Sequence, residues 1–160
     1  MQPSSESLRI FLDSGVILEG CYSQWGASKG VLILAAQRRR DIRIVLAEVV
    51  EREVRRDLAL ALAHLPPERA ALIQSGFEGW LSRVNIEHYP MPSEHEILSH
   101  CAQIMPALRH ENDVPVVITA MLTRPDWVLS TNTRHWNAEL AQRTGLRIAT
   151  PQHFLVQLHL

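Results

Sequence analysis

The sequence predicts an α/β protein of three layers, α/β/α, built around a central parallel sheet of about five strands. Three observations carry this expectation. Short apolar runs alternate with longer stretches whose apolar residues recur at helical spacing, the pattern of strand–helix–strand units. The chain is 160 residues long, within the usual size of one domain, and no repeat, low-complexity tract or Pro/Gly/Ser-rich linker divides it. Hydrophobic residues make up 46% and charged residues 21%, an ordinary globular balance that excludes disordered, collagen-like and coiled-coil classes. The reading is a short polar segment over residues 1–7 followed by a single domain over 8–160.

Arg9-Ile10-Phe11-Leu12 reads as a buried first strand that delivers Asp13 at its carboxyl end, before Ser14-Gly15. From Val16 to Arg40 the helical spacing is broken near Trp25-Gly26, which predicts two helices, with Ser28 as cap of the second. Asp41 to Leu46 is a second strand, and Glu48 to His64, charged on one face and apolar on the other, is a helix. Pro66-Pro67 ends that helix and opens another running to about Leu81, after which Val84-Asn85-Ile86 forms a brief third strand. Ser93 with Glu96 is a capping box that opens a helix to Met105, ended by Pro106. Asn112 or Asp113 caps a helix from Val114 to Leu122 that accepts Pro115 in its first turn. Trp127 to Leu129 is the fourth strand, Trp136 to Thr144 a helix closed by Gly145, and Leu146 to Ala149 the fifth strand.

Composition removes several function classes. No apolar run reaches the roughly 18–20 residues needed to cross a bilayer, and the first residues are polar, so a soluble cytoplasmic chain with no membrane partner is expected. Cys21 and Cys101 are too few for a disulfide framework and read as buried free thiols. There is no Gly-x-Gly-x-x-Gly and no Gly-Lys-Ser/Thr phosphate loop. His95 and His100 are five apart, where a zinc-protease helix needs four. An aspartyl-phosphate enzyme needs a second Asp where this chain has Gly15. The net charge of −1 does not announce a nucleic-acid binder, although 15 of the 16 basic residues are arginine, whose donor fork suits phosphate. The Arg38-Arg39-Arg40 run reads as a solvated helix end, and Trp25, Trp80, Trp127 and Trp136 as core or interface residues.

Ligands of open parallel sheets sit beyond the carboxyl ends of the strands. Asp13, Asp113 and Asn132 fall at that edge, with Glu48, Glu51 and Glu53 on the helix after the second strand. Converging carboxylates repel one another unless a cation neutralises them, and hard oxygen ligands suit Mg2+ or Mn2+. Taken alone, Asp113 reads better as a helix cap.

At this edge the chain resembles the PIN-domain family over nearly its whole length. Arg9-Ile-Phe-Leu-Asp-Ser-Gly-Val looks like the family's first strand and acidic residue, and Glu111-Asn-Asp-Val-Pro-Val-Val-Ile-Thr-Ala like the segment bearing the third. Ser130-Thr-Asn-Thr-Arg-His-Trp is similar to the Thr-Gly-Asn-x-Lys-His-Phe stretch of the VapC-like branch, the toxin components of toxin–antitoxin systems. Thr150-Pro-Gln-His-Phe-Leu resembles that branch's closing Pro-x-x-Phe-Leu motif.

The resemblance implies a Mg2+- or Mn2+-dependent endoribonuclease with catalytic residues Asp13, Glu53, Asp113 and Asn132, of which Asp13 and Asp113 hold metal. Ala47, as the small residue six positions before the family's glutamate, selects Glu53 over Glu48, and the i, i+5 spacing turns those two side chains to different faces. Asn132 stands where many relatives have Asp, which removes one charge from the site. Ser14, Glu48, Thr131 and His135 are supporting candidates. The resemblance further implies an RNA substrate, a cognate antitoxin whose segment covers the acidic edge, and a homodimer. The competing reading is a PIN-fold RNA- or protein-binding module with weakened catalysis.

Overall fold

The computed structural model describes residues 6–105, 107, 108 and 111–158. The predicted strands form a five-stranded, all-parallel sheet: β1 (Leu8–Leu12), β2 (Ile42–Ala47), β3 (Ile86–Tyr89), β4 (Trp127–Leu129) and β5 (Ile148–Ala149). Their spatial order is β3-β2-β1-β4-β5. Eight helices connect and flank them: α1 (Ser14–Tyr22), α2 (Ala27–Gln37), α3 (Glu48–Leu62), α4 (Pro67–Arg83), α5 (Glu94–Ile104), α6 (Val114–Thr123), α7 (Ala138–Thr144) and α8 (Pro151–Gln157). The three-layer α/β/α expectation holds. Because helices cover both faces, the central strands are mostly apolar, and Ile10, Phe11, Leu12, Ile44, Val45, Leu46, Val128 and Leu129 are all buried, whereas β3 at the edge is mixed.

This order makes β1 the pivot. The chain leaves β1 toward β2 and β3 on one side, then returns to lay β4 on the other, so β1 and β4 flank the switch point where parallel sheets open a crevice. The register Leu12↔Leu129 and the bond from Asp13 N–H to Leu129 C=O (3.0 Å) bring residues 13 and 130 side by side at its mouth.

The helices obey their sequence signals. In α3, Val50, Val54 and Leu58 face inward while Glu51 and Glu48 pair outward with Arg55 and Arg52. Arg55 also reaches Glu78 on α4 and lies over the Phe77 ring. The Trp80 indole N–H donates to the Leu32 carbonyl, fastening α4 to α2. α6 is apolar on nearly every side and is correspondingly buried. The Ser93–Glu96 capping box forms in full. The closing motif is a helix start: Thr150 Oγ1 accepts from His153 N–H, Pro151 occupies the first turn, and Phe154 packs edge-on against Trp127.

Several expectations need correction. Gly26, at φ 107°, precedes α2, and Ser28 does not cap it; its hydroxyl donates to Glu19 instead. The third strand begins at Ile86, because Val84 N–H is taken by the Trp80 carbonyl in closing α4. The fifth strand is only Ile148–Ala149, and the seventh helix starts at Ala138 under an Asn137 cap. Asp113 precedes α6 but its side chain caps nothing. It follows a 3-10 turn (Glu111–Asp113) in helical backbone geometry, and Pro115 removes one of the N–H groups a cap would bind. Both cysteines are free but only half-buried, and Trp25 is outside the core, 82% exposed. Pro106, and residues 1–5 of the polar leader, lie outside the described residues.

At the amino end of the sheet, Arg9 reaches across β2 to hold Glu87 with two bonds (2.6 and 2.9 Å), while a third nitrogen donates to the Thr123 and Arg124 carbonyls that end α6. This pairing lowers the Glu87 pKa. A carboxylate with a lowered folded pKa stabilises the fold above its unfolded pKa, and that contribution disappears as pH falls through the folded value. Glu87→Gln is therefore expected to cost about 1 kcal/mol, about 3 °C in Tm, near pH 7. The difference from wild type should shrink as pH falls below the usual glutamate value and through the lowered folded one; thermal melts from neutral to acid pH check it, and a pH-independent difference would mean the charge is irrelevant.

Candidate active site at the carboxyl edge of the sheet

Asp13 leaves β1 in extended geometry and caps α1, its Oδ1 accepting the Ser14 N–H at 2.9 Å. Its Oδ2 accepts the Ser130 hydroxyl at 2.8 Å, and the Trp136 indole N–H also donates toward it. Desolvation nevertheless raises the Asp13 pKa, with the Asp113 charge adding to the rise and the three donors opposing it. Glu53, half-buried on α3, is raised as well, first by desolvation and then by the charges of Asp13 and Asp113. The Ser14 hydroxyl donates to Glu53 and works against that rise. Three carboxylates from β1, α3 and the start of α6 thus feel one another across one crevice.

Glu48 is turned elsewhere. It pairs with Arg52 and accepts the Met91 N–H at 2.9 Å, tying the start of α3 to the loop after β3. Glu51 pairs with Arg55. Asn132 lies at the exposed rim, its amide nitrogen 3.0 Å from His135 Nδ1, and that same Nδ1 is 2.6 Å from Asp113 Oδ2. The two form an ion pair when the imidazole is protonated, and beside a neutral imidazole the enclosed Asp113 Oδ2 makes no hydrogen bond. Thr131 leans over Gly15 in the first turn of α1.

A divalent cation suits part of this arrangement. The donors are hard carboxylate oxygens of like charge, and one enclosed oxygen, Asp113 Oδ2, makes no hydrogen bond beside a neutral imidazole. Among the described residues no three His, Cys, Asp or Glu side chains converge as a ready cage. Mg2+ keeps several waters and leans on one or two carboxylates, so it does not need such a cage.

No protein-family model matches the chain, and no curated protein matches its sequence. Solved structures do match its fold. The crystal structure of VapBC2 from Rickettsia felis, bound to a DNA fragment from their promoter, superposes with a TM-score of 0.61 at 14% identity, over 89% of this chain and 98% of that one. PAE2754 from Pyrobaculum aerophilum gives 0.62 at 13% identity, covering 97% and 98%. FitAcB from Neisseria gonorrhoeae gives 0.59 at 16%, covering 90% and 99%. The chain shares the fold of these structures, the three-layer α/β/α fold that the resemblance implies.

Two residues of this crevice escape sequence reading. Ser130, 2% exposed, holds Asp13 and also accepts the Asn132 N–H at 3.0 Å. Trp136 is buried against Phe11 and turns its one polar atom toward the same carboxylate. The available signals were a hydroxyl at the end of an apolar strand and a tryptophan close behind it, and neither points to Asp13 without the β1–β4 pairing.

Raised carboxylate pKa values mean that the ionised groups oppose folding. Their favourable contribution is complete below the unfolded values, near pH 4, and is lost as pH rises through the folded ones. Metal-free Asp13→Asn should therefore match or exceed the wild-type Tm at pH 7.5 and flatten the decline of stability as pH rises above about 4, and Asp113→Asn, which removes a charge that raises both Asp13 and Glu53, should also match or exceed it. A fall of several degrees in both would instead make these aspartates structural anchors.

Proposed function

We propose that this chain is a metal-dependent endoribonuclease, folded as one domain over residues 8–160, and the toxin component of a toxin–antitoxin pair. The observation that carries this reading is the gathering of Asp13 and Glu53 beside Asp113 at the switch point of the sheet, both carboxyls raised first by burial and then by the charge of Asp113. Asp13 and Asp113 would hold Mg2+ or Mn2+, which when bound lowers the pKa of water and polarises a phosphoryl oxygen.

The chain's own residues supply the remaining parts. The Ser14 N–H and the Ser130 hydroxyl fix both oxygens of Asp13, so the carboxylate is oriented before substrate arrives. Glu53, its proton affinity raised by burial and like charge, takes the proton from the attacking water at a carboxylate oxygen, with the Ser14 hydroxyl orienting it. The new P–O bond forms opposite the ribose oxygen that leaves, and that oxygen departs with the electron pair of the broken P–O bond and takes its proton from solvent water. Asn132 and the exposed Arg134 at the rim are placed to meet RNA phosphate.

The neighbours in fold are VapBC and FitAB complexes, which supports an antitoxin as partner. A groove of about 1020 Å³ between α1, α2 and α4 suits such a segment. It displays Trp25, Ile33 and Leu72 to solvent beside Lys29, Arg69 and Arg83, so it fits an amphipathic segment with acidic residues. Among the described residues no helix is long and apolar enough to cross a membrane. The neutral Asn132 favours one second reading, a PIN-fold RNA- or protein-binding module with weakened catalysis.

Purified protein is expected to cleave single-stranded RNA with Mg2+ or Mn2+ and to stop in EDTA. Glu53→Gln should lower the rate by about 100-fold or more, and Glu48→Gln far less. Cleavage that persists in EDTA, once contaminating nuclease is excluded, would sink the metal reading; RNA binding without cleavage would favour the module. Leu72→Asp should break the complex with a co-expressed antitoxin while leaving RNA cleavage unchanged, and an intact complex would remove the groove from the interface.

A further inference from the structure

A Cβ built on Gly15 would lie 2.7 Å from Thr131 Oγ1, closer than such atoms approach. Gly15 stands in the first turn of α1, two residues after Asp13, in backbone geometry that does not itself require glycine. Thr131 lies between Ser130, whose hydroxyl holds Asp13, and Asn132 at the rim. The missing side chain is therefore a seat, and the Thr131 hydroxyl occupies it.

We infer that Gly15 and Thr131 are a size-matched positioning pair that docks the Ser130–Asn132 loop onto the α1 turn presenting Asp13. The inference rests on the reading of Asp13 as a metal ligand, and it adds the device that keeps this ligand and its hydroxyl partner in register. A methyl group at position 15 pushes on a β-branched side chain. Only one of the three staggered states of Thr131 turns a hydrogen toward position 15, so the loop gives way and the Ser130–Asp13 bond loosens. Alanine is also the better helix former, so without the clash it should help α1 rather than harm it.

The test compares wild type, Gly15→Ala, Thr131→Gly and the Gly15→Ala/Thr131→Gly double variant, reading Mn2+ affinity by calorimetry and Tm without metal. Gly15→Ala is expected to weaken Mn2+ binding by about 10-fold or more, as the loss of a ligand's outer support does, and to lower Tm. The double variant should bind Mn2+ as well as Thr131→Gly alone and melt at or above its Tm, so that the effect of alanine changes sign with residue 131. Unchanged Mn2+ affinity in Gly15→Ala overturns the pair, as does a loss that removing Thr131 fails to restore. If wild type binds no Mn2+, the metal reading falls separately, and the Tm cycle alone decides the pair: a change of sign upholds the docking and additive effects overturn it.

Discussion

Asp13 is held in a partly buried position by three donors, the Ser14 N–H, the Ser130 hydroxyl and the Trp136 indole N–H, against desolvation and the charge of Asp113. That balance depends on β1 pairing with β4. The pairing sets residue 13 beside residue 130, and the reversal of strand order there leaves the crevice in which Asp13, Asp113 and Glu53 feel one another's charge. Without donors a carboxylate so placed would protonate; without like charges around it there would be little to attract a cation.

The two ends of the sheet handle charge in opposite ways. At the amino end Arg9 meets Glu87 with two bonds and spends its remaining donor on the carbonyls closing α6, so the charges there are matched and contribute to the fold. At the carboxyl end Asp13 and Glu53 are raised by desolvation and like charge, and Asp113 meets the imidazole of His135 at 2.6 Å rather than an arginine fork. An arrangement that opposes folding yet is built from buried, oriented groups is the common mark of a functional site.

Distribution of basic residues follows the same division. The arginines of α3 are engaged in ion pairs on the helix surface, whereas Arg134 stands at the rim of the crevice and Lys29, Arg69 and Arg83 border the α1–α2–α4 groove. A net charge of −1 therefore hides an acidic crevice and a basic-rimmed groove in different places, and electrostatic complementarity acts on those local fields rather than on the total.

The sequence by itself determined what local chemistry controls. Apolar runs marked the strands, the Ser93–Glu96 box and Gly145 marked helix ends, and Asp13 was legible because a carboxylate directly after a buried strand must emerge at the sheet edge. Tertiary structure alone decided what depends on partners distant in sequence. Asp113 looked like a helix cap because its neighbours permit one, yet its backbone geometry forbids it and its side chain faces the crevice. The Ala47 register already favours Glu53 over Glu48, but the groups each one meets, Met91 for Glu48 and the Asp13 side of the crevice for Glu53, are set by packing against the β3–α5 loop and α1. Ser130 lies 117 residues from the carboxylate it holds, and Thr131 about as far from the glycine it sits on. Hydroxyls and glycines carry no sign in their own sequence of which group they will meet, because their interactions act only over a few ångströms and the partner is set by strand pairing.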